Sequence, residues 1–238
     1  MMKNTVLVSS LMLALSGQAL AQEEDKIWSG SGQLGFTMTS GNSDTETLNA
    51  GLNIKRETEK WLSEGSLQLL RATDDDETTA ERYTLSTKTG YKWDDNDYVY
   101  YSTRYDNDNF SGFDYTMTTG IGWGHKFYDE EKKKLITEIG VGYKTEALDI
   151  DRSENNGAAL LGKLDYMRQI TDTVKFEDVL IVEATDDNTF IQNDAGFSFK
   201  VTDATAVKLA YQIRHNTDVP MGVDKTDSLF SANFVYDF

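Results

Sequence analysis

The 238-residue chain has no cysteine, which excludes a disulfide scaffold and a lipid-anchored N-terminus, and its formal net charge of -17 opposes docking on nucleic-acid phosphates. No stretch of about eighteen consecutive apolar residues occurs, so membrane-spanning helices are excluded too. A mean hydropathy of -0.52 leaves membrane strands open, because these carry apolar residues only at alternate positions.

At the N-terminus, Lys3, the short apolar run from Val6 to Leu15 and the small residues of Ala19-Leu20-Ala21 have the order of an export signal. The run is too short to span a bilayer. We expect a cleaved signal peptide over 1–21 and one mature domain over 22–238, a length that suits a single domain.

From Trp28 the chain alternates in about twelve segments, each near the roughly nine to eleven residues that a tilted membrane strand needs. The first, Trp28–Thr39, sets Leu34, Phe36 and Met38 on one face. Thr45–Arg56 sets Leu48, Ala50, Leu52 and Ile54 against Asn49, Asn53 and Lys55; Trp61–Ala72 sets Leu67 and Leu69 against Glu64, Ser66 and Gln68. Glu81–Trp93 opposes Tyr83, Leu85, Tyr91 and Trp93 to Arg82, Thr84, Ser86 and Lys88. Tyr98–Tyr105 opposes Val99, Tyr101 and Tyr105 to Ser102 and Arg104, and Tyr115–Phe127 alternates Met117, Ile121 and Trp123 with Thr118 and a glycine series at 120, 122 and 124. Leu135–Thr145 carries Ile139 and Val141 against Glu138 and Lys144; Ala158–Arg168 carries Leu160, Leu164 and Tyr166 against Lys163 and Asp165.

Val174–Ala184 is ambiguous, since Asp178 shares the parity of Phe176, Leu180 and Val182 while Val179 and Ile181 share that of Glu177 and Glu183. Phe190–Val201 sets Ile191, Ala195 and Phe197 against Gln192, Asp194 and Ser198; Ala206–His215 sets Leu209 and Tyr211 against Lys208, Gln212 and Arg214. The last strand, Ser228–Phe238, is the clearest: Phe230, Ala232, Phe234, Tyr236 and Phe238 share one parity, and Ser231, Asn233 and Asp237 the other.

The connections alternate. Glu57–Lys60, Asp94–Asp97, Tyr128–Lys134, Ile170–Thr173 and Thr202–Ala204 are short. The rest are longer and acidic: Ser40–Asp44, Thr73–Thr79, Asp106–Asp114, Glu146–Asn156, Thr185–Asn188 and Asn216–Asp227. Short turns on one side and longer loops on the other are the pattern of an outer-membrane barrel. Aromatics near the turns (Trp61, Trp93, Tyr98, Trp123, Phe127, Tyr143, Tyr166, Phe176, Phe238) and near the loops (Tyr83, Tyr105, Tyr115) suit two interfacial girdles. The fold predicted is all-β: an antiparallel transmembrane barrel of about twelve strands in the bacterial outer membrane. A soluble sandwich also alternates, but would bury one face of each strand.

The opening hairpin, Trp28-Ser-Gly-Ser-Gly-Gln-Leu-Gly-Phe-Thr-Met-Thr-Ser-Gly-Asn-Ser-Asp-Thr-Glu-Thr-Leu-Asn49, resembles that of an uncharacterised family of salt-induced bacterial outer membrane proteins. The resemblance runs through the terminal aromatic and is most specific around Gly41-Asn42-Ser43. It implies location and fold, a context of salt or acid stress, and no catalytic or binding residue. The barrel-assembly machinery is the implied reader of the strand ending in Phe238. Gly41-Asn42 itself tolerates positive φ and can close a tight hairpin.

The predicted lumen-lining set is Lys55, Glu64, Arg82, Lys88, Arg104, Glu138, Lys144, Lys163, Asp165, Asp194, Lys208 and Arg214, joined by Glu177 and Glu183. Their nearly balanced signs favour a paired, rigidifying network over a selective channel, although about twelve strands leave room for a narrow pore. The glycines at 120, 122, 124, 140 and 142 would leave a bare inner wall that a large side chain such as Tyr100 could cover. The acidic loops, among them Asp106, Asp108, Asp149, Asp186, Asp218 and Asp224, read as a solvated surface, with cation sharing among lipopolysaccharide phosphates as the functional alternative. Asp106-Asn-Asp-Asn109 resembles the start of a calcium loop, but Phe110 and Ser111 break the pattern. No cofactor, metal or enzymatic role is expected. The alternative is a barrel hydrolase of lipase or protease type, using His215 with Asp218 or Asp186 at the rim.

Overall fold

Apolar–polar alternation and a single proline leave little to interrupt antiparallel ladders. The computed structural model describes residues 27–39, 45–75, 77–109, 111–149 and 153–238. The expected signal peptide and the Gly41-Asn42-Ser43 turn lie outside the described residues. The strands are β1 (Trp28–Thr39), β2 (Thr45–Glu57), β3 (Trp61–Asp74), β4 (Glu77–Lys92), β5 (Asp97–Asp108), β6 (Phe113–Glu130), β7 (Lys133–Leu148), β8 (Glu154–Thr171), β9 (Val174–Ala184), β10 (Thr189–Lys200), β11 (Thr205–Asn216) and β12 (Thr226–Asp237). Each pairs with its chain neighbours and β1 pairs with β12, which closes a barrel and removes every sheet edge. At the seam Ser31 faces Asp237 and Gly35 faces Asn233. Phe238 is fixed there by two backbone bonds: Gly30 N–H donates to its carbonyl at 3.0 Å, and its own N–H donates to the Gly30 carbonyl at 2.9 Å.

The strands run further toward the loop end than apolar alternation predicts. β6 and β8 have 18 residues each. Much of the expected loops Thr73–Thr79, Asp106–Asp114 and Glu146–Asn156 is ladder, with Thr73 opposite Thr78 and Glu146 opposite Asn155. Beyond the apolar belt both faces of the sheet are polar. Backbone pairing then continues with no hydrophobic signal to announce it. Bulges at Ala72/Thr73, Asp106/Asp108 and Phe113/Tyr115 mark this zone.

Large apolar side chains face outward: Ile121 is 62%, Leu160 66% and Phe230 68% exposed. An exposed apolar surface of this extent is far larger than a soluble monomer tolerates. Rings rim it at both ends, Trp61 edge-on to Tyr91 at 5.3 Å and Tyr105 stacked on Tyr115 at 5.9 Å. Two residues expected in the turn-end girdle are elsewhere. Tyr98 shares the inward parity of Tyr100 and is 1% exposed inside the barrel. Tyr143 stands near the loop end of β7, opposite Ala158.

Tyr98, Tyr100, Leu62 and Ile136 form an apolar cluster inside the turn end. The glycine wall of β6 and β7 makes room for it. A Cβ at Gly122 would stand 2.6 Å from Tyr100 Cζ, and one at Gly124 would collide with the Tyr98 ring. Gly124→Val is therefore expected to cost about 1–3 kcal/mol through overpacking. Urea unfolding in lipid checks this, with outward-facing Thr87→Val as a near-neutral control.

Candidate functional site

Inward side chains differ sharply around the barrel. On β12, β1, β2 and β3 many are short and neutral, Ser231, Asn233, Ser29, Ser31, Gln33, Asn49, Asn53, Ser66 and Gln68, with Lys55, Glu57, Glu64 and Asp237 charged toward the turn end. β4 to β11 carry most of the long charged side chains, interrupted by the glycine wall of β6 and β7. The charged chains reach across and pair. What remains is a cavity of about 790 Å³ lined by residues of all twelve strands, the short neutral side chains among them. Its lining runs from Ser29, Asp237 and Phe238 at the turn end to Arg82, Gln192 and Gln212 toward the loop end.

The loop end of the lumen holds the denser network. Asp106 is its hub, 3% exposed. It accepts from Arg104 Nη2 at 2.7 Å, from Thr84 Oγ1 at 3.3 Å, and from Arg214 Nη2. Arg214 Nη1 donates to Asp108 Oδ2 at 2.7 Å, and Arg82 Nη1 lies 3.5 Å from that oxygen. Glu183 accepts from Thr118 Oγ1 at 2.8 Å and lies 3.5 Å from Arg104 Nη1. Lys144 Nζ pairs with Glu146 at 2.8 Å, and Asn188 Nδ2 donates to Glu146 at 2.9 Å. Phe190, 4% exposed, fills the middle. Arg104, Arg214 and Lys144 sit 4.6, 5.1 and 5.4 Å from its ring centroid. Three cations held against one ring make Phe190 the centre of a charged plug.

A second network lies near the turn end. Lys88 donates to Glu138 and pairs with Glu64 at 2.9 Å, and Tyr98 Oη donates to Glu138 at 2.5 Å. Glu57 gathers Lys55 at 2.6 Å, Lys126 at 2.9 Å and Lys92 at 3.0 Å. Lys134 pairs with Asp165 at 2.8 Å, and Lys208 with Glu177 at 3.2 Å.

Of the residues predicted to line the lumen, all but Lys144 and Arg214 border the cavity. Those two are buried in the loop-end network. Asp194 accepts from Gln212 Nε2 at 2.5 Å, and Lys163 faces the cavity. Arg82 and Arg104 belong to one network and Glu138 to the other, so they form no common ring. On β9, Glu177, Val179, Ile181 and Glu183 face inward, which leaves Asp178 outward.

Two acidic residues expected on a solvated loop are instead inside the barrel. Asp106 and Asp108 are 3% and 8% exposed and are tied to arginines, so the run Asp106–Asn109 is no calcium loop. Their parity with Ser102 and Arg104 carried that signal. Phe190 likewise shares the parity of Gln192 and Asp194. His215 Nδ1 lies 2.8 Å from Thr226 Oγ1, and among the described residues it forms no ion pair with Asp218 or Asp186. The rim dyad is not assembled.

A family model described as "Protein of unknown function, DUF481" matches residues 32–238. "Uncharacterized protein YdiY" of Escherichia coli (strain K12) is 21% identical over 197 residues, covering 82% of this chain and 77% of that protein. An outer membrane channel from Pseudomonas putida F1 superposes with a TM-score of 0.50 at 10% identity, over 89% of this chain and 95% of its own. The NanC porin gives a TM-score of 0.49 at 10% identity, over 88% and 97%. The likeness to the Pseudomonas channel is one of fold.

Proposed function

The chain belongs to the family described as Protein of unknown function, DUF481, and from that premise we propose that it is an outer-membrane barrel serving as a narrow passive pore for small hydrophilic solutes or ions. The observation that carries this reading is the polar cavity of about 790 Å³, with short neutral side chains in its lining. Its size is within the roughly 300–1,000 Å³ of small-molecule sites. Ser, Asn and Gln side chains can replace a solute's hydration by donating and accepting in turn. Most of the opposing charges are already paired, with Lys163 facing the cavity outside any ion pair among the described residues, so they give the passage fixed walls and little preference for one sign.

The setting in lipid rests on the exposed apolar belt, its two rims of rings and the closed sheet. In that setting the turn end faces the periplasm and the loop end the lipopolysaccharide leaflet. The strand ending in Phe238 would be what the assembly machinery reads. A context of salt stress draws support from the likeness of the first hairpin, and the acidic outer loops repel one another less as ions screen them. A purely structural barrel is the second reading, favoured by the Phe190 plug and its network.

Planar-bilayer recording of the purified mature barrel decides between them. Discrete, ohmic conductance steps in molar KCl are expected from the pore. Silence in molar KCl, from protein shown to be folded and inserted, would leave the structural reading standing.

A further inference from the structure

Asp178 is unlike every other outward residue of the apolar belt. Other outward acidic and basic groups stand toward strand ends, among them Arg56, Arg168 and the Asp97–His125 pair at the turn end, Glu46, Glu154 and His215 at the loop end, and Arg71 opposite Glu81. Asp178 is in the middle of β9, between Phe176 and Leu180 on the same face. It faces Tyr166 of β8 and Ala195 of β10. Asn193 Nδ2 donates to its Oδ1 at 2.7 Å. Among the described residues no other hydrogen bond or ion pair reaches either side chain. On this outward face one carboxylate oxygen, one amide hydrogen and the Asn193 amide oxygen are therefore left without a partner among the described residues.

Acyl chains satisfy none of them. Thr103 and Thr119, also on the belt, satisfy one another through hydroxyls 2.9 Å apart. Here the flanking Leu164, Leu180, Ala195 and Ile213 have no polar side-chain atom, and the hydroxyl of Tyr166 makes no hydrogen bond to Asp178. A charge in this position is costly unless something outside the barrel supplies a donor.

We propose that the outer face of β8, β9 and β10 joins two copies of this chain, with Asp178 of one copy accepting from the partner's Asn193 across a two-fold axis. The pair is its own complement. Each copy brings one unused acceptor and one unused donor, and a two-fold rotation sets each opposite the other, the requirement of an isologous contact. A different protein would have to carry a donor of its own into the bilayer; a second copy already has it. Ala195, opposite Asp178, keeps the carboxylate uncovered on one side, and the neighbouring rings of Tyr166, Phe176 and Phe197 supply apolar area for a second copy to cover. The inference rests on the reading of this face as embedded in lipid.

The chain has no cysteine, so Leu180→Cys is a single reporter beside the pair. Mild oxidation of the full-length protein in its native membrane is expected to trap a disulfide-linked dimer. Leu85→Cys, outward on β4 at the far side, is expected to trap none. Adding Asp178→Leu or Asn193→Leu to Leu180→Cys should weaken trapping by about tenfold or more, while the barrel keeps its heat-modifiable migration. Failure of Leu180→Cys to cross-link, equal cross-linking by Leu85→Cys, or trapping undiminished by the leucine variants each overturns the proposal. A monomeric barrel still folded in the membrane fraction refutes the dimer alone; a chain absent from that fraction refutes the bilayer reading beneath it.

Discussion

Replacing Asp106 with alanine is expected to destabilise the barrel by about 3–5 kcal/mol, the cost of leaving buried charge without its partner. Asp106 accepts from Arg104 and Arg214 and is 3% exposed. Without it, those two guanidinium groups and Arg82 share Asp108 and Glu183, which are already engaged. Equilibrium unfolding in lipid should show the lowered midpoint. Asp106→Asn preserves size and some bonding and should fall between. Asp106→Leu combined with Arg214→Met removes a pair rather than one partner, so it should recover much of the loss, because matched apolar replacement of an ion pair is often nearly neutral. A small effect of Asp106→Ala would mean that water reaches the network and solvates the arginines.

Phe190→Ala is expected to raise single-channel conductance severalfold and to shift selectivity toward anions. The ring occupies the loop end of the lumen, and its removal uncovers Arg104, Arg214 and Lys144 together. The variant should also lose about 3 kcal/mol or somewhat more in stability, as for truncation of a buried aromatic. Phe190→Trp, which keeps the ring and strengthens the cation–π contacts, should leave conductance low. Reversal potentials under a KCl gradient check the sign of selectivity. Unchanged conductance in Phe190→Ala would show that solutes pass only along the short neutral side chains, and that the ring is structural.

The two predictions differ in how far the sequence foretold them. Arg104 and Arg214 are on the polar parity of strongly alternating strands, so their inward direction is legible from period alone. Asp106 has the same parity, but it follows Tyr105 into a run of Asp and Asn that reads equally as a loop. Composition there outweighs period, and the residue is misplaced at the surface. Tyr98 fails in the opposite sense. A tyrosine beside a tight turn suits an interfacial ring, yet its parity with Tyr100 turns it inward over Gly124. β9 was undecidable because apolar and acidic residues occur on both faces. Only pairing with β8 and β10 assigns Glu177 and Glu183 inward and Asp178 outward.

Alternation with period two, short turns opposite longer loops and an aromatic terminal strand are local properties. They suffice for an all-β barrel of twelve strands, because strand period and turn chemistry act between near neighbours in the chain. Which charges meet is not local. Arg214 reaches Asp108 and Asp106 across the lumen, partners 106 and 108 positions away along the chain. That contact depends on the register accumulated around the closed sheet, as do the lining of the cavity and the pairing of Asp178 with Asn193. A shift of one residue at any seam would turn a strand's charges from the lumen to the lipid.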